Sequence, residues 1–239
     1  MDKPAHTGMN RTGAQMSPLH TPEQKAAAEQ VRPTVPGSAR QLAEARQEAV
    51  TSAEPVGSVP IPGSIKGAVK TVAQKISGHN PAILIDKLGE RLAFERTGVR
   101  LYDAMIAKAQ ALGEPQDKLD RLQHFRDEEA EHMERVKEAM KSLGADPTAQ
   151  TPSADVAGVS GLGVLQVITD PRTNMAQSLD ALLTAELTDN AAWDLLIDLA
   201  REAGQTDMVP SFEQALRQEQ DHLGTLRIWL REALGVKNS

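Results

Sequence analysis

Four long segments of this chain carry apolar residues at helical spacing, and each stripe is interrupted near its middle by acidic or histidine residues. Glu95 stands between Leu92 and Val99, and Glu129 and His132 stand between Phe125 and Val136. Glu186 stands between Leu182 and Trp193, with Asp189 and Asn190 beside it, and Glu219 and His222 stand between Ala215 and Leu226. An ionised carboxylate buried alone costs several kcal/mol, roughly, because it loses its hydration. Four carboxylates at one level would also repel one another. A pair of divalent cations removes both problems.

Punctuation along the chain sets the helices. Asn80-Pro81 reads as an N-cap and first helical residue, and the pattern runs to Leu112 with Gly113 as the stop. Pro115 restarts a helix to Leu143, ended by Gly144. Asp170-Pro171 opens a third helix that ends near Gly204, and Pro210 opens a fourth that ends near Gly235. Residues 145–169 hold two prolines and three glycines and read as a long connection. The one strand-like run, 164–169, is too short and isolated to form a sheet.

The seams are Ile85, Leu88, Leu92, Val99, Tyr102, Ile106 and Ala109; Leu122, Phe125, Val136, Ala139 and Leu143; Leu179, Leu182, Trp193, Leu196 and Ala200; and Phe212, Ala215, Leu226, Trp229 and Ala233. Spacings of three and four predict an all-α four-helix bundle over residues 81–239, with short first and third links and one long crossover.

Residues 1–80 differ in kind. All six aromatics lie at or after Phe94, and eight of the 14 prolines lie before residue 63. With little from which to build a core, this arm is expected to be mostly disordered, with helical stretches at 39–50 and 65–76, the second a docking helix. The arm has nine basic and six acidic residues, whereas residues 81–239 have 17 and 27. An acidic domain suits metal cations, and the net charge of −7 argues against nucleic acid as a partner. There is no cysteine, which excludes disulfides, thiolate metal sites and a Cys nucleophile. No run of membrane-spanning length and no apolar secretory segment at the N-terminus is visible, so a cytoplasmic protein is expected.

Carboxylate and imidazole ligands suit iron, manganese or zinc. Glu and His three residues apart share a helix face, so both reach one core site. Each Glu-x-x-His is preceded by a Glu, 34 residues upstream in the first case and 33 in the second. An aromatic follows each upstream Glu by seven, Tyr102 and Trp193, and a glycine follows by 18, Gly113 and Gly204. The domain therefore reads as two copies of one helical hairpin.

Over residues 81–235 the chain resembles the ferritin-like di-iron carboxylate superfamily, and the Glu95/Tyr102 spacing with paired Glu-x-x-His motifs is most similar to bacterioferritins. The resemblance implies a di-metal centre: Glu129 and Glu219 bridging, Glu95 and Glu186 terminal, His132 and His222 one to each metal. It implies two iron ions, with manganese as a variant, and oxidation of Fe(II) or a small substrate by O2 or peroxide. Tyr102 is the candidate redox or positioning residue. Ala130 stands where bacterioferritins carry a haem-ligating Met, so no haem is expected. A homo-oligomer is compatible with the family. The alternatives are a metal-binding bundle without turnover and a metal-free helical interaction module.

Among the neighbours, Asp189 has two readings, a partner for a ligand His or a solvated face. Glu128, Glu131 and Glu134 are expected to form a solvated acidic face, with His124 on the surface.

Overall fold

The structure, a computed structural model, describes residues 19–31, 37–61 and 81–236. The predicted 65–76 helix and the Asn80 cap lie outside these residues. The chain divides between Pro55 and Val56 into two compact units. In the first, α1 (Thr21–Gln30) and α2 (Ala39–Ser52) bury no residue. Helix α2 matches the expected 39–50 stretch and opens on a capping box, Ser38 with Gln41.

The second unit is the bundle. Its long helices are α3 (Pro81–Leu112), α4 (Gln116–Ser142), α7 (Met175–Glu202) and α8 (Val209–Ala233), the last preceded by a 3-10 turn at Thr206–Met208. Helix α3 packs along α4, and α7 along α8, so each hairpin read from the sequence is a physical pair. Each long helix ends on a glycine with φ between 68° and 79° (Gly113, Gly144, Gly204 and Gly235), a conformation that an L side chain rarely adopts. Among the described residues no helix is long and apolar enough to cross a membrane.

Two parts of the expectation need correction. The long connection carries two helices, and its strand-like run is helical: α5 (Pro152–Ser160) and α6 (Leu162–Thr169) both pack on α3. A short apolar run does not disclose its period, and here burial of Ile168 against the bundle selects helix. The entry to α5 is tied to α3 by Thr151 Oγ1 donating to the Asp86 carbonyl at 3.1 Å and Ser153 Oγ donating to the Asp86 carboxylate at 2.6 Å. Helix α7 starts at Met175 and not at Asp170-Pro171. Asp170 instead accepts bonds from the backbone and side chain of Arg172, while Asn174 and Gln177 form the capping box that starts the helix.

The apolar core is split. Leu84, Leu88, Val136, Met140, Trp193, Leu196 and Phe212 belong to one buried cluster. Leu101, Met105, Leu122, Phe125, Leu179 and Leu182 belong to another. The layer that separates them is polar.

Candidate metal centre

Glu95 from α3, Glu129 and His132 from α4, Glu186 from α7, and Glu219 and His222 from α8 are all buried, none more than 2% exposed. The helical period brings all six sequence-predicted ligand residues into that layer. They form two groups whose ligand atoms lie within 4.8 Å of one another: Glu95, Glu129, His132 and Glu219, and Glu129, Glu186, Glu219 and His222. Glu129 and Glu219 belong to both. His132 Nδ1 lies 2.6 Å from Glu219 Oε1, and His222 Nδ1 lies 3.2 Å from Glu219 Oε2 and 3.5 Å from Glu129 Oε1. The atoms are near but not aligned as hydrogen bonds: both oxygens of Glu95 and of Glu219, Glu129 Oε2, Glu186 Oε2 and both Nδ1 atoms are buried with no hydrogen-bond partner, as are Arg91 Nε and Asp189 Oδ1 beside them. Buried polar atoms are nearly always paired, so a concentration of unpaired lone pairs around one space is a signature of cation ligands.

Outer contacts fix how the ligand residues face this space. Glu128 can only accept, so the Gln218 amide turns its NH2 toward it, Nε2 to Oε1 at 2.6 Å. Gln218 Oε1 then faces His132 Nε2 at 3.1 Å, which donates to it. His222 Nε2 donates to Glu128 Oε2 at 2.8 Å. Both imidazoles therefore turn Nδ1 inward. Tyr102 donates from its hydroxyl to Glu186 Oε1 at 2.5 Å, leaving Oε2 for the interior. Phe125 stacks at a tilt on His222 at 4.1 Å, and Trp193 meets His132 edge-on at 5.6 Å.

Three residues, Asp189, Arg91 and Glu128, correct or extend the sequence reading. Asp189 neither orients a histidine nor faces solvent; it is buried and pairs with Arg91 at 2.9 Å. Arg91, not anticipated, is 2% exposed, lies over the Phe94 ring and places Nε 2.8 Å from Glu95 Oε1. Its signal was its place four residues before Glu95, on the same helix face. Glu128 is half-buried against His222, whereas Glu131 and Glu134 are exposed as expected. His124 is exposed, as expected, 3.5 Å from Glu128. Helix α3 buries Ile85, Leu88, Leu92, Tyr102 and Ala109 of the expected seam, but Gly98, Leu101 and Met105 are buried where Val99 and Ile106 are only half-buried. Gly98 faces the Glu129 carboxylate, whose carboxyl carbon would lie 2.8 Å from any β-carbon at that position.

Electrostatics follow from burial. It pushes Glu95, Glu129 and Glu186 well above the usual carboxylate range, and nearby carboxylates push further, Asp189 on Glu95 and Glu219 on the other two. Burial lifts Asp189 to about 7 against the pull of Arg91. Glu219 is the exception: burial would raise it, but the adjoining His132 and His222 hold it well below the usual range. Burial opposes charge on both imidazoles, yet His132 is raised by Glu219 and Glu95, and His222 by Glu128, Glu129 and Glu219. Burial and the Glu186 carboxylate push the Tyr102 phenol well up. Without metal, this layer keeps its charge balanced by holding protons.

The family model of the ferritin-like domain matches residues 85–234. No curated protein and no solved structure matches the chain.

Proposed function

The chain belongs to the ferritin-like family, and from that premise we propose that its bundle holds two divalent metal ions, iron first and manganese as a variant, and oxidises Fe(II) or a small substrate with O2 or peroxide. The observation that carries the reading is the set of unpaired, buried carboxylate oxygens and imidazole Nδ1 atoms turned toward one space. Glu129 and Glu219 would bridge the ions, since both belong to each group. Glu95 with His132 would complete one position, and Glu186 with His222 the other. Oxygen and nitrogen donors with no sulfur fit iron and manganese. Two ferrous ions, once bound, supply two electrons to an oxidant.

The remaining work belongs to the chain. Gln218 and Glu128 hold the proton on Nε2 of each histidine, which keeps Nδ1 as the ligand nitrogen. The two apolar clusters on either side exclude water from the polar layer and strengthen each electrostatic contact in it. Tyr102 restrains Glu186 and places a phenol, a source of a proton and an electron, beside that ligand.

Oxygen uptake after adding Fe(II) to metal-free protein tests the activity. The native chain is expected to consume O2 well above the buffer rate. Tyr102→Phe is expected to bind the same number of ions and to turn over at least about tenfold more slowly, the order of effect that outer contacts of a metal site have. Stoichiometric Fe(II) binding with no oxygen or peroxide consumption would leave a metal-holding bundle without turnover.

A further inference from the structure

The two proposed metal positions have the same ligand types, but the groups behind those ligands differ in charge. The hairpin repeat relates Glu95 to Glu186, Glu129 to Glu219 and His132 to His222. It also relates Glu128 to Gln218, Arg91 to Leu182 and Tyr102 to Trp193, pairs that differ in charge or, for the two aromatics, in the polar group they carry. The contacts cross between hairpins. His222 is backed by a carboxylate, Glu128 Oε2 at 2.8 Å, whereas His132 is backed by a neutral amide, Gln218 Oε1 at 3.1 Å. Glu186 Oε1 is held by the Tyr102 phenol at 2.5 Å, whereas Glu95 Oε1 meets the Arg91 guanidinium at 2.8 Å. Trp193, the repeat mate of Tyr102, plays no matching part: its Nε1 is buried without a hydrogen-bond partner.

An imidazole whose outer N–H donates to a carboxylate is a more basic ligand than one donating to an amide. A carboxylate that spends one oxygen on a guanidinium has less charge to offer a metal than one bonded to a phenol. Both differences point the same way. Asp189 balances the charge of Arg91 from the far side, at 2.9 Å, but does not remove the guanidinium from Glu95.

We propose that the two positions are unequal, that the Glu186/His222 position fills first and more tightly, and that Glu128 and Arg91 set the difference as positioning residues. The inference rests on the di-metal reading above. It gives the site a loading order in which the second ion enters the weaker Glu95/His132 position.

The test is a calorimetric titration of the metal-free full-length chain with Co(II), followed in parallel by its visible absorption. The native protein is expected to take up two ions in two steps at least about tenfold apart. Glu128→Gln removes the carboxylate behind His222. It is expected to weaken the first step about 10- to 100-fold, keep two ions per chain and bring the steps together. The exchange Glu128→Gln/Gln218→Glu keeps an amide-to-carboxylate bond between the two positions but hands the carboxylate to His132, and it is expected to tighten the second step, a gain that structural damage would not produce. Two equal steps in the native chain, or a Glu128→Gln variant that weakens only the second step, would overturn the asymmetry and leave the di-metal site intact. No Co(II) uptake by the native chain would overturn the di-metal reading itself.

Discussion

Raising the pH from about 5.5 to 8 is expected to destabilise the metal-free protein and to enlarge the stabilisation that metal brings. Glu95, Glu129, Glu186 and Asp189 are lifted by burial, and His132 and His222 by the carboxylates that face them. All six hold protons in the folded state that the unfolded chain, with carboxylates near 4 and histidines near 6.5, has already begun to release or has lost. A raised group contributes its full stability below the unfolded pKa and loses it as pH climbs through the folded one. The carboxylate contributions therefore fade from about pH 4 upward, that of Asp189 through about 7, and those of the histidines above about 6.5. Glu219 is held low and Glu128 is lowered by hydrogen bonds from His222 and Gln218 despite the opposing effect of its partial burial; both lose stability only on acidification below this window.

Metal competes with the same protons, so its affinity rises with pH. Each site saturated at 1,000 times its dissociation constant adds about 4 kcal/mol. At roughly 2–4 °C per kcal/mol for a domain of this size, Tm at pH 8 should rise by roughly 15–30 °C on loading both positions. Thermal unfolding in chelator and in Co(II) at several pH values measures this. A metal-free Tm that climbs between pH 5.5 and 8, or a Tm at pH 8 that does not rise when Co(II) is added, would contradict the account.

Gly98→Ala should abolish tight metal binding and spare the fold. The substitution favours helix by up to about 1 kcal/mol, so local propensity does not oppose it. Its new methyl meets the Glu129 carboxylate, with Cδ at 2.8 Å and one oxygen closer still. Because the obstacle is the far end of a side chain, the bundle accommodates the methyl by swinging that carboxylate aside. Glu129 belongs to both ligand groups, so both positions suffer at once. Metal analysis should find less than about one ion per chain, against two in the native protein, beside an unchanged helical circular dichroism spectrum. Gly224→Ala on α8 is the matched control, since its methyl meets nothing within 4 Å. A Gly98→Ala chain that holds two ions at native affinity would show that Glu129 does not serve both.

The six proposed ligands were legible because helix geometry alone decides that residues interrupting an apolar stripe point where the stripe points. The hairpin repeat then placed four interruptions at one depth. What sequence could not supply was contact between helices. Glu128 reads as one more charge in an acidic run, and only the approach of α8, bringing His222 and Gln218, turns it inward. Arg91 reads as a surface base until Asp189 arrives from α7 to share its charge. Burial of Gly98 beside the Glu129 carboxylate is likewise a contact with another helix, which the pattern along α3 does not show. The crossover helices were hidden because a glycine- and proline-bearing segment has weak intrinsic preference, which packing on α3 overrides.

The central claim is a two-ion site bridged by Glu129 and Glu219, and metal stoichiometry tests it most directly. The full-length chain would be expressed in iron-replete medium beside a Glu129→Ala/Glu219→Ala variant, and both analysed for bound metal and for folding by circular dichroism. The account predicts about two irons per native chain and close to none in the variant, with both chains helical. Equal metal content in the two folded proteins, or none in either, would contradict it.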